Sequence, residues 1–130
     1  MTGTHGPVTP GLAKARTLID RDYARPLTVE RLAAQAGLSV FHFIRAFRVA
    51  FGTTPHRYLR DKRLERAKEL LVTTPLPITE ICDQIGFQSL GSFSSLFRRV
   101  VEESPAEFRA RRRKHVYIPG CFARMYRAGR

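Results

Sequence analysis

Apolar side chains recur along the chain at three- and four-residue spacing, with polar and charged positions between them, the pattern of amphipathic helices that each bury one face. Leu12, Ala15, Leu18 and Ile19 fall on one side of a helix over residues 10–23, with Lys14, Arg16, Asp20 and Arg21 elsewhere. Arg25-Pro26 ends it, because a residue before proline is pushed out of helical geometry. Thr28 is an N-cap for a short helix over 29–36, and Gly37 stands where a left-handed turn closes it. Ser39 caps the next helix, which runs to about Phe51 and is stopped by Gly52. Phe43, Ala46, Phe47 and Ala50 point inward there, leaving Val40, Phe41, Ile44, Arg45 and Arg48 off the core stripe.

This pattern occurs twice. Val29, Leu32, Ala33, Ala36, Gly37 and Leu38 reappear 49 positions later as Ile78, Ile81, Cys82, Ile85, Gly86 and Phe87. After a one-residue slip the shift becomes 50: Phe43, Phe47 and Arg48 return as Phe93, Phe97 and Arg98, and Thr54-Pro55 with Tyr58 as Ser104-Pro105 with Phe108. The second copy has a support helix over 78–85 and a further helix over 90–101, with Phe93, Leu96, Phe97 and Val100 expected inward. Ser104-Pro105-Ala106-Glu107 is a capping box that opens a last helix to about Arg113. Between the copies, Thr54-Pro55 opens a helix to about Val72, in which Tyr58, Leu59, Ala67, Leu70 and Leu71 can pack. Arg57, Arg60, Lys62, Arg63, Arg66 and Lys68 are expected to leave the rest of its surface basic.

The fold class that follows is all-α: two helix-turn-helix subdomains, homeodomain-like, joined by a long linker helix, with about seven helices in all. The expected division is a flexible N-terminus at 1–9, a first subdomain at 10–53, the linker helix at 54–74, a second subdomain at 75–113 and a basic tail at 114–130. A helix-turn-helix sends its second helix into a major groove, so two copies can read two successive grooves of one duplex. The linker is roughly 27 Å long at 1.5 Å per residue, which suits two reading heads about one duplex turn, ~34 Å, apart.

Charge narrows the partner. A net charge of +12 on 130 residues calls for a polyanion, nucleic acid or an anionic membrane. No apolar run approaches the roughly 18 residues a membrane span needs, and the polar, Gly/Thr/Pro-rich start lacks the apolar stretch of a secretory signal. Cytoplasmic location is therefore expected, with double-stranded DNA as partner and no membrane. From Ser104 onward seven Arg and one Lys face the single acid Glu107, so the tail is either a solvated extension or an arm along phosphate. Cys82 occupies a core position of the repeat, and a structural disulfide with Cys121 is not expected.

These residues closely resemble the DNA-binding domain of the AraC/XylS family of bacterial transcription regulators. The stretch from Leu38 through Arg48, followed by Gly52 and Pro55, is similar to the family's first reading helix and its exit. Ile81-Cys82-Asp83-Gln84-Ile85-Gly86-Phe87, then Phe93, Phe97-Arg98, Ser104-Pro105 and Phe108-Arg109, resembles its C-terminal signature, and Arg63, Ala67 and Leu71 match its linker-helix pattern. Glu102 stands where the family usually has Gly, Cys82 where it has Ala, and Ser94 and Ser95 where several members carry longer polar or basic side chains. The resemblance implies a transcription regulator, an activator working with RNA polymerase. If the chain is whole, it resembles the short stand-alone members and binds DNA as a monomer. If it is a fragment, an effector-responsive part lies elsewhere.

Among the candidate base-reading residues Arg45 leads: its fork of donors can reach O6 and N7 of a guanine. Phe41 and Ile44 flank it and suit thymine methyls, though Phe41 can instead pack on the first helix. Val40 completes the first set, and Leu90, Gly91, Ser92, Ser94 and Ser95 form the second, whose short side chains favour close backbone approach over base contacts. Ser39, His42, Arg48, Ser89, Arg98 and Arg99 are the phosphate-binding candidates, each Arg having the alternative of a solvated face or a pair with a nearby acid. The first half-site is thus expected to be specified strongly and the second weakly or through DNA shape.

Other classes have less behind them. No Gly-rich phosphate loop, zinc-ligand spacing or nucleophile constellation appears, and the serine cluster at Ser89, Ser92, Ser94 and Ser95 has no His or acid at defined spacing. No enzyme activity, cofactor or metal is expected. A helical adaptor presenting its Arg surface to an acidic protein, and an architectural DNA binder without sequence preference, are the remaining rivals.

Overall fold

A computed structural model describes residues 6–116. The described residues form seven α-helices and no strand: α1 Pro10–Asp22, α2 Val29–Ala36, α3 Val40–Phe51, α4 Pro55–Thr73, α5 Ile78–Gln84, α6 Leu90–Val101 and α7 Pro105–Val116. The all-α, double helix-turn-helix expectation holds. The chain divides into two compact units, Met1–Glu65 and Arg66–Arg130, and the division falls inside α4.

In the first unit α1, α2 and α3 pack on one another around Leu12, Ala15, Ile19, Leu32, Phe43 and Phe47. Phe43 and Phe47 are fully buried, worth roughly 1.5–3 kcal/mol each relative to exposure. Edge-to-face contacts extend the cluster from Phe47 to Phe51 at 4.6 Å and to Tyr58 on α4 at 5.8 Å. The helix starts read in the sequence are made by side-chain caps. Thr28 Oγ1 accepts from Arg31 N–H at 3.1 Å, and Ser39 Oγ from His42 N–H at 3.2 Å.

The second unit repeats the scheme with Ile81, Ile85, Phe93 and Phe97 fully buried. A ring series runs Phe87–Phe93 at 5.4 Å, Phe93–Phe97 at 5.6 Å and Phe97–Phe108 at 5.6 Å. The capping box closes in both directions: Ser104 N–H donates to Glu107 Oε1 at 2.8 Å, and Glu107 N–H donates to Ser104 Oγ at 3.1 Å. Those bonds from Ser104 hold the Glu107 carboxyl below its ordinary range. Cys82 is buried as a free thiol.

The repeat is longer than the hydrophobic pattern revealed. Leu12, Ala15 and Ile19 of α1 reappear 52 positions later as Leu64, Ala67 and Leu71 of α4, and all six are buried. The linker helix is therefore also the first helix of the second copy. Matching guanidinium clamps accompany each of these helices. Arg63 donates from Nε to the Tyr23 carbonyl at 2.6 Å and from Nη2 to that of Arg25 at 3.0 Å, just past the end of α1. At the end of α4, Arg109 donates to the carbonyls of Leu71 at 2.9 Å and Thr74 at 3.1 Å, and Arg113 also donates to Thr74. Carbonyls at a helix C-terminus lack intrahelical donors and carry the negative end of the macrodipole, so a cation there satisfies both.

Three expectations need correction. Val100 is 42% exposed rather than inward, because the core line Phe93–Phe97 continues four residues on at Val101, which is half-buried. The basic surface expected on α4 is reduced by half: Arg60 pairs with Asp61 at 2.8 Å, Arg66 with Glu69 at 2.8 Å and Lys62 with Asp20 at 3.5 Å, while Arg63 is a clamp. The last helix runs to Val116, past Arg113, since Arg-Arg-Lys favour helix and no breaker intervenes. The remainder of the expected tail, with Cys121, lies outside the described residues.

Candidate nucleic-acid interface

Each unit presents one helix whose outer face is free of the core. On α3 the fully buried Phe43 and Phe47 fix the inner side, which leaves Phe41, Arg45 and Arg48 outside. Phe41 is 75% exposed, so the alternative that it packs on α1 does not hold. The Arg45 guanidinium carbon lies 5.5 Å from the centre of the Phe41 ring, a cation–π contact one turn along the helix. Val40 and Ile44 are half-buried at the margins, and His42 is exposed. Among the described residues no ion pair engages Arg45, Arg48 or Arg99, whereas most charges of α4 are matched.

On α6 the corresponding face carries little. Leu90 is 42% exposed; Gly91, Ser92 and Ser95 are exposed and Ser94 half-buried. A methyl group added at Gly91 would meet nothing within 4 Å, so no packing inside the protein requires glycine there. Arg98 and Arg99 are exposed at the far end, with Arg98 Nη2 3.7 Å from Glu107 Oε1. Ser39 and Ser89 both spend their Oγ as N-caps, Ser89 accepting from Ser92 N–H at 3.1 Å, so toward a phosphate each keeps only its hydroxyl proton.

Helix ends behind these faces differ in one residue. Gly52 closes α3 at φ 79°, and its N–H donates to the Arg48 carbonyl at 2.8 Å. Glu102 closes α6 in the same way at φ 71°, donating to Arg98 at 2.9 Å. Glu102 is the non-glycine residue with positive φ among the described residues, and left-handed backbone costs a Cβ-bearing residue roughly 1–2 kcal/mol. The departure noted in the sequence therefore leaves the turn's shape intact.

The described residues contain no cluster of three His, Cys, Asp or Glu able to hold a metal, and none of their helices is long and apolar enough to cross a membrane.

Two support-helix and exposed-helix pairs, α2–α3 and α5–α6, make this a double helix-turn-helix protein. Residues 32–111 match the family described as "Helix-turn-helix domain". The transcriptional regulator AlkR of Acinetobacter baylyi is 37% identical over 100 residues, which are 77% of this chain and 33% of AlkR. The regulatory protein SoxS of Salmonella typhimurium is 34% identical over 93 residues, 72% of this chain and 87% of SoxS. The DNA-binding domain of AdpA, solved in complex with a target DNA, superposes with a TM-score of 0.75 at 30% identity and covers 94% of this chain and 97% of its own. The chain belongs to the AraC/XylS family. It spans about a third of the length of AlkR and most of SoxS.

Proposed function

We propose that the chain is a sequence-specific regulator of transcription that binds double-stranded DNA by laying α3 and α6 into successive major grooves of one duplex. The observation that carries the reading is the α3 face: an exposed aromatic ring with an arginine held over it and no acid engaging that arginine. An exposed phenylalanine gains burial free energy when a partner covers it, and an arginine fork beside it matches the guanine edge next to a thymine methyl. AdpA, whose structure was solved with its target DNA, supports the nature of the partner. Val40, Phe41, Ile44 and Arg45 form the base-reading set of α3, with Leu90, Gly91, Ser92, Ser94 and Ser95 its weaker counterpart on α6. Ser39, His42, Arg48, Ser89, Arg98 and Arg99 contact phosphate. One chain occupies one operator, and activation proceeds through contact with RNA polymerase.

Selection of bound duplexes from a random pool tests this directly. The expected result is a motif with two parts about ten base pairs apart, one sharply defined and one loose. A single compact half-site contradicts the two-groove reading. Binding that depends on salt but enriches no sequence contradicts base reading and leaves architectural binding. Transcription with purified polymerase on the selected site tests the activating role.

A further inference from the structure

Ahead of α1, residues 6–9 cross the outer edge of α3. The Gly6 N–H donates to the carbonyl of Val49 at 2.7 Å. Val49 lies in the last turn of α3, where carbonyls have no intrahelical donor, so this bond satisfies a group the helix leaves open. The approach is close: a methyl on Gly6 would stand 2.4 Å from Val49 Cγ1, so the valine side chain would have to turn or the segment lift. At the other end Thr9 Oγ1 accepts from Leu12 N–H at 3.2 Å and Pro10 takes the first helical position, which fixes where the segment enters α1. Pro7 restricts the backbone between these anchors. Four residues are thus pinned at both ends.

What they border is the reading edge. Pro7 and Thr9 of the segment line one open hollow of about 250 Å³ together with His42, Arg45 and Val49 of α3. The exposed Arg45 thus has the Phe41 ring beneath its guanidinium and shares an open hollow with the segment. A long side chain that must be immobilised on its target binds more weakly than one already restricted, because the ordering cost then falls on association. Among the described residues the second unit has no such segment at the equivalent place. By the 52-residue shift that relates α1 to α4, positions 58–61 correspond to 6–9, and they are helical.

We propose that residues 6–9 form a strap that determines specificity by positioning Arg45, with Gly6 as its anchor on α3. This rests on the assignment of Arg45 as a base reader, and the test separates the two. Equilibrium binding of the full chain is measured on a selected operator and on the same duplex with its contacted half scrambled, for Arg45→Ala, Gly6→Ala, Val49→Ala and Gly6→Ala/Val49→Ala. Arg45→Ala is expected to collapse the preference for the operator. Gly6→Ala is expected to lower operator affinity about three- to tenfold, leaving scrambled binding and the thermal midpoint unchanged. The double variant, which removes the methyl that Gly6→Ala would strike, is expected to recover the preference relative to Val49→Ala alone. A Gly6→Ala protein with unaltered preference, an equal loss on both duplexes, or a loss that the double variant does not repair overturns the strap. If Arg45→Ala leaves the preference intact, the base-reading assignment falls and the strap proposal with it.

Discussion

Overlaid by their repeat, α3 and α6 agree inside and disagree outside. Phe43 and Phe47 have Phe93 and Phe97 as equals, all four fully buried, and the caps Ser39 and Ser89 make the same bond. On the outer face Phe41, Ile44 and Arg45 stand opposite Gly91, Ser94 and Ser95. A duplicated scaffold is held by packing, which punishes any change of volume, whereas its solvent face changes at little cost to folding. On the proposed reading this divergence assigns base discrimination to the first helix and backbone approach to the second.

The comparison can be broken first at the cores. Phe47→Ala and Phe97→Ala are each expected to cost about 3–5 kcal/mol in urea unfolding, and a gap of more than about 2 kcal/mol between them would show that the repeat does not share its load equally. The outer faces come next. Arg45→Ala should remove about 1–3 kcal/mol of preference for the operator, while Ser95→Ala, at the matching position, should change it by less than about 0.5 kcal/mol. Equal losses in a competition assay would erase the asymmetry.

A smaller effect lies at the helix exits. Replacing Glu102 by the glycine found at Gly52 should raise stability by about 1 kcal/mol by relieving left-handed backbone, read as an upward shift in the urea midpoint. Smallest is a difference in alkaline behaviour. Tyr58 donates its hydroxyl to Asp20 Oδ1 at 2.6 Å, and its counterpart in the second unit is Phe108. Burial, with help from that bond, pushes the Tyr58 phenol up to about 12. Because the folded value lies above the ordinary value near 10, the stabilisation is complete below pH 10 and lost as pH rises through 12. Tyr58→Phe should therefore unfold less steeply across that interval, and an unchanged slope would show that the phenol adds nothing there.

Much of this was legible from residue spacing. The caps at Thr28, Ser39 and Ser104 and the buried phenylalanines are local signals, set by side chains within one turn of each other. The kinship of α1 and α4 was not, because three apolar residues among many charges are too few to stand out and the shift differs from that of the rest. Nor were the clamps. An arginine's code is the same whether it faces solvent, as Arg45 does, or ends on a carbonyl forty residues away, as Arg63 does. The Gly6–Val49 bond joins residues 43 positions apart in the same silent way. Val100 misled because only about a quarter-turn separates it from Val101, and apolar type alone does not say which completes the stripe.

The double duty of α4 bears on how this protein could have been assembled, and on how it can be dissected. Its early turns carry Leu59, which belongs to the first core, and its later turns carry Ala67 and Leu71, buried in the second. Ending a gene before the helix strips one half of a wall; starting another after it strips the other half of its opening element. Neither copy can be excised with clean edges, so a single-headed version has to retain the whole of α4 and bring part of its neighbour's wall along.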